Sequence, residues 1–150
     1  MNRCQPIALR RIALAEIERR LPDYRRAAAD RLPGWSPEVA NRKAALWVAI
    51  ALAAGVGRDL PFDVCKAIEI ECLWPHGHKY LPTADRFCRE WRIPWAEALA
   101  ELADARDRIR TRAEGSEDLS LIQRAIDLTV LAEALGAPPV TQDYTRKEAA

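Results

Sequence analysis

The sequence predicts an all-α protein, a compact single-domain bundle of six or seven short helices around a central apolar helix. Three observations predict it. Residues Ala44 to Ala54 form an eleven-residue run without a polar side chain, and a helix that is apolar all round has to be covered all round. Ala, Leu, Arg and Glu dominate the composition, and all four favour helix. No long run of Val, Ile or Thr alternates with polar residues as a half-buried strand would. The apolar run would rise about 16 Å as a helix, roughly half of a bilayer's hydrocarbon core, so it is expected to be core rather than a membrane span. At 150 residues, with 49% apolar and 30% charged side chains, the chain suits one domain with a proper core. That domain is expected over residues 1–136, with 137–150 as a flexible tail.

The elements follow in order. A first helix is expected from Pro6 to Arg20, because Leu9, Ala13, Ile17 and Leu21 recur at spacings of four with Leu14 beside them. Pro22 interrupts it and opens a short second helix, Asp23 to Arg31, at whose first turn a missing N–H costs nothing. Leu32 to Trp35 read as a turn. Ser36 then caps a third helix, with Pro37 at its first position and Glu38 against the positive end of the dipole. This helix holds the apolar run and ends at Gly55 and Gly57. Pro61 opens a fourth helix to about Trp74, with Phe62, Cys65, Ile68 and Cys72 on one face, and Pro75 stops it. Trp74 to Tyr80 form a loop. Thr83 caps a fifth helix, Ala84 to Trp91. Pro94 opens a sixth, Trp95 to about Ala113, with Trp95, Ala98, Leu102, Ala105, Ile109 and Ala113 down one face. Ser116 caps a seventh, which Gly136 closes. This last helix is broadly apolar and is expected to be the second most buried.

The net charge of +1 conceals an asymmetry. Residues 1–43 carry ten basic against five acidic side chains, and residues 44–150 thirteen against seventeen. Such a split marks a candidate contact with nucleic acid or an acidic partner. Arg19, Arg20, Arg25 and Arg26, with Arg106 and Arg110 in the sixth helix, are the candidate phosphate-binding residues. The N-terminus has no apolar h-region before a small-residue cleavage site, so a cytoplasmic location is expected. Cys4, Cys65, Cys72 and Cys88 are then read as thiols.

Four constellations carry chemistry. Cys72, His76, His78 and Cys88 are zinc-ligand types within a short stretch. Their spacing fits no common two-knuckle arrangement, and Cys72 lies on an apolar face, so buried thiols and loop histidines are the preferred reading and no cofactor is expected. Phe87-Cys88-Arg89-Glu90-Trp91-Arg92-Ile93-Pro94 resembles the first helix and turn of the helix-turn-helix family, with small Cys88 at the crossing and Ile93 after the turn. The resemblance covers about twenty residues and implies DNA binding through the following helix. The sequence departs from the pattern at Arg92, where a glycine is usual, and in Glu97, Glu101, Asp104 and Asp107, which phosphates would repel. For catalysis there is no nucleophile elbow, P-loop, zinc-protease motif or dinucleotide turn, and two of three serines read as caps. Finally, five tryptophans are many for this length. Trp91 with Arg89 and Arg92, beside the His76–His78 loop, offers the Trp and Arg mixture of interface hot spots, while Trp95 is expected to be structural.

These residues favour a non-enzymatic helical binding protein, a regulator, adaptor or inhibitor whose partner is another protein or a second copy of itself, with no membrane contact. A helix-turn-helix-like DNA-binding regulator is the second reading and a zinc-stabilised helical module the third.

Overall fold

The computed structural model describes residues 5–56 and 83–140. Among them are five α-helices and no strand: α1 (Gln5–Ala29), α2 (Pro37–Ala53), α3 (Ala84–Trp91), α4 (Trp95–Ala113) and α5 (Leu119–Leu135). The helix expected at Pro61 to Trp74 lies outside the described residues, as do Gly57, Cys4, Cys65 and Cys72. By contact the chain divides into two units, Met1–Ala98 and Leu99–Ala150, and the division falls inside α4.

In the first unit, the two helices expected on either side of Pro22 are one. Helix α1 runs 25 residues with Pro22 inside it. An interior proline removes one hydrogen bond and costs about 3 kcal/mol. The burial pattern shows what outweighs that cost. Ala13, Ile17, Leu21, Tyr24 and Ala27 step by four, four, three and three along one face, and all are buried. The stripe runs straight through the proline, whose own side chain is exposed. A break there would uncover half of the stripe.

Helix α1 closes on a left-handed residue that is not glycine. Arg31 has φ 54°, and the N–H groups of Arg31 and Leu32 donate to the carbonyls of Ala28 and Ala27, both at 3.1 Å. This is the double closure of a Schellman motif. Helix α2 opens as its sequence predicts: the Ser36 hydroxyl accepts from the Val39 N–H at 3.2 Å, Pro37 follows, and Glu38 lies in the first turn. It closes on Gly55, at φ 96°. Between its ends Ala44 to Ala51 are all buried, with Trp47, Ala49 and Ile50 wholly enclosed. Helix α2 packs against α1 and against α3.

One polar cluster accompanies this packing. The buried carboxylate of Glu16 accepts from Arg19 at 2.9 Å and from Arg20 at 2.8 Å. Arg20 also lies 4.3 Å from the centre of the Trp47 ring, a cation–π contact, and donates to the Tyr24 hydroxyl at 3.4 Å. Tyr24 in turn stacks on Trp35 at 5.3 Å. Burial pushes the Arg20 guanidinium down, but Tyr24 and Glu16 more than offset it and the group stays charged.

In the second unit, α5 is capped by Asp118 rather than by Ser116. The Asp118 carboxylate accepts from the N–H groups of Ser120 at 3.0 Å and Leu121 at 3.3 Å, while the Ser116 hydroxyl accepts from the Asp118 N–H at 3.1 Å. A carboxylate adds a charge–dipole attraction that a hydroxyl lacks, and the serine is left to order the preceding turn. Gly136, at φ 83°, closes the helix as expected.

The burial of α2 gives a graded prediction. Ile50 is wholly enclosed whereas Leu52 is only half-buried. Ile50→Ala should cost about 2–5 kcal/mol, and Leu52→Ala clearly less, as read from denaturant midpoints. Equal costs at the two positions would contradict the packing described.

Candidate interaction surfaces

In residues 1–98 the aromatic turn is built on Phe87, which is wholly buried. Thr83 caps α3 by accepting from the Arg86 N–H at 3.2 Å. Trp91, one turn on from Phe87, stacks on it at 5.7 Å and is half-buried. Arg92 takes the left-handed conformation, φ 53° and ψ 51°, that the helix-turn-helix pattern reserves for glycine. Ile93 is buried after it, Pro94 is exposed, and Trp95, half-buried, starts α4. Arg89 and Arg92 are exposed. His76 and His78 lie outside the described residues, so the expected patch is described only at Trp91, Arg89 and Arg92.

An arginine that sequence reasoning passed over holds this turn. Arg42 of α2 donates to the carbonyl of Trp91 at 3.2 Å and to that of Arg92 at 3.3 Å. The same guanidinium donates to both carboxylate oxygens of Glu97, at 3.0 Å through Nε. A planar fork suits a carboxylate in this two-pronged way. It also sets a cation at the negative end of α3, where the last carbonyls lack helical partners. Glu97 is therefore paired with Arg42 while remaining partly exposed. In sequence, Arg42 is one arginine among many, and only the fold brings it across about fifty residues to the turn.

The remaining candidates are scattered in environment. Arg19 is exposed but bound to Glu16, Arg20 is half-buried in the Trp47 cluster, and Arg25 and Arg26 are exposed, Arg26 beside Asp23 at 3.3 Å. In residues 99–150, Arg106 is only 4% exposed. It donates to the Asp107 carboxylate at 2.9 Å and to the Pro138 carbonyl at 2.6 Å, which ties the start of the expected tail to α4. Arg110 reaches the Thr129 hydroxyl at 3.5 Å. Of the zinc candidates only Cys88 is described. It is half-buried, and burial pushes its thiol up, with Asp85 adding to the effect. Among the described residues no group of three or more metal-ligating side chains is gathered to hold an ion, and no helix is long and apolar enough to cross a membrane.

A second surface lies on α5, which the sequence marks only as broadly apolar and second most buried. Ala125, Leu128, Leu131 and Ala132 are indeed buried. On the opposite side of the helix Leu119, Ile122, Ile126 and Val130 recur at spacings of three, four and four. Leu119 is 79% and Ile126 51% exposed, and Ile122 and Val130 are half-buried. The signal was present in the sequence as two apolar stripes on opposite faces, but a chain alone does not say which stripe it covers itself. Between this stripe and the C-terminal half of α4 lies an open cleft of about 360 Å³.

Comparison with protein-family models, with curated proteins and with solved structures finds no match to this chain.

The Arg42–Glu97 pair predicts a pH dependence. The bond from Arg42 holds the Glu97 carboxyl below its usual range. Its stabilisation is therefore complete above the usual carboxylate range and is lost as pH falls through the lowered value. Both side chains are more than one-third exposed, which limits the pair to about 1 kcal/mol or less. Glu97→Gln should lower the melting temperature slightly at neutral pH, and the gap from the natural chain should close on acidification. A gap that is constant with pH would show that Glu97 contributes nothing through its charge.

Proposed function

We propose that this protein is a non-enzymatic helical binding protein, a regulator or adaptor that works in the cytoplasm through protein–protein contact, with the outer face of α5 as its docking face. The observation that carries this reading is the uncovered stripe from Leu119 to Val130. Large apolar side chains gathered on one exposed face mark interaction sites on soluble domains, and a helix apolar on both sides has a second side to bury. The half-buried Trp91, with exposed Arg89 and Arg92, supplies a further contact region of the Trp and Arg type found at hot spots.

A DNA-binding reading has one observation in its favour, the left-handed Arg92 in a three-residue turn between α3 and α4. Against it stand the enclosure of Arg20 and Arg106 and the acidic residues of α4.

Affinity capture from an extract of the native host, with and without nuclease, tests both. Nuclease-resistant partners should be retained by the natural chain and lost by Ile126→Asp, whose melting temperature should be unchanged because the site is exposed. Identical capture by the variant would remove α5 as the docking face. Any binding to duplex DNA should be weak and should fall steeply with salt as counterions are released; tight, sequence-specific binding near physiological salt would favour the DNA reading.

A further inference from the structure

Resting on the α5 docking face proposed above, we infer that residues 137–140 form a strap, latched by Arg106 across one end of the cleft between α4 and α5, that shields part of this face. The strap follows from the sequence after α5. Gly136 closes the helix at φ 83°, and the Ala137 N–H donates back to the Ala132 carbonyl at 2.9 Å. Pro138 and Pro139 cannot continue the helix: neither has an N–H to give, and Pro138, standing before a proline, is held extended. Two extended residues carry Val140 about 6 Å beyond Pro138. Val140 joins Ile122, Ile126, Thr129 and Val130 in lining the cleft.

The latch belongs to α4. Arg106 is 4% exposed, and its guanidinium donates to the Pro138 carbonyl at 2.6 Å and to the Asp107 carboxylate at 2.9 Å. A hydrogen bond from a cation is about twice as strong as one between neutral groups. One turn further along α4, Arg110 reaches Thr129 of α5 at 3.5 Å, and Asp107 and Arg110 both line the cleft. The strap therefore lies at the end of the cleft nearer the C-terminus of α5. It closes only that end: Leu119, at the start of α5, is 79% exposed, and Ile126, near its middle, 51%.

Few contacts hold the strap. Its two prolines are exposed and Val140 is half-buried. Among the described residues its polar bonds are the one that closes α5 and the one from Arg106, and its apolar anchor is Val140 in the cleft. Segments with few buried contacts are the ones that open locally, ahead of the helices they rest on. Opening extends the bare stripe of α5 toward Val130. The closed strap is thus an autoinhibitory contact. Anything that docks over the C-terminal part of α5 has to displace Val140, and its apparent affinity is lowered to the fraction of chains that are open.

The test uses the full chain and an anilinonaphthalene sulfonate dye, which fluoresces on bare apolar surface. Val140→Ser removes the apolar anchor and should tighten dye binding at least threefold, because a ligand of the open form is weakened by the closed fraction. The melting temperature should hold, since Val140 is only half-buried. Adding Ile126→Asp should abolish the gain, which places the dye in the cleft. Arg106→Met should open the strap as well, and joining it to Val140→Ser should give no further gain, as both reach the same open form. Arg106→Lys, which keeps a donor, should stay near the natural chain. Unchanged dye binding in Val140→Ser would overturn the inference, as would a gain that survives Ile126→Asp. A fall in melting temperature as large as that of Ile50→Ala would overturn it too, by making the segment permanent core. If Arg106→Met fails to fold, Val140→Ser with and without Ile126→Asp decides alone. Capture from the host extract separates the strap from the docking face. If the dye responds as expected while capture survives Ile126→Asp, the docking face fails and the strap stands. If Ile126→Asp loses its partners while Val140→Ser leaves dye binding unchanged, the docking face stands and the strap fails.

Discussion

The constraint on which the described residues 5–56 and 83–98 depend is the removal of one unbroken apolar stretch from water. Ala44 to Ala51 have no polar side chain to turn outward, so every face of that part of α2 needs a neighbour. Much of the rest can be read as supply for that demand. Helix α1 stays whole across Pro22 because its inner stripe is continuous there. Arg20 lies over the Trp47 ring and brings its own counter-charge, Glu16, from the preceding turn. The arginine can remain charged beside the core because Glu16 and the Tyr24 hydroxyl replace water around it.

Arg42 extends the same helix into polar work. It stands just before the apolar run and reaches the turn where the carbonyl end of α3 meets the first turn of α4. A non-glycine residue in the left-handed region at Arg92 costs about 1 kcal/mol or somewhat more. The strain falls at a turn whose carbonyls are held from outside, so the backbone conformation does not depend on glycine. That explains how the tight turn between α3 and α4 forms with an arginine at this position.

How much of this was legible in the sequence depended on the range of the interaction. Caps were readable where a short polar side chain precedes a helix with no rival: Ser36 and Thr83 act as expected. Near α5 two residues competed, and Asp118 prevailed over Ser116 through its charge. The break expected at Pro22 was a local rule overridden by burial along the whole of α1. The sites were less legible because they depend on partners remote in sequence. Arg42 and Glu97 are 55 residues apart, and nothing in either neighbourhood names the other. Arg20 and Arg106 look like surface charge in a basic stretch, yet one lies on an indole ring and the other is enclosed near Pro138. For α5, periodicity showed two apolar stripes but not that only one would be covered.

The exposed stripe of α5 has a consequence for how the molecule behaves as a colloid. Apolar side chains such as Leu119 and Ile126 draw copies of the chain together, and exposed charges beside them such as Glu114 and Glu117 hold them apart over a distance set by the ionic atmosphere, about 8 Å at physiological strength. Added salt shortens that distance and leaves the apolar attraction in place. Salt therefore favours self-adhesion through this face. The ionic composition of its surroundings decides whether the chain stays dispersed while its outer α5 face is bare.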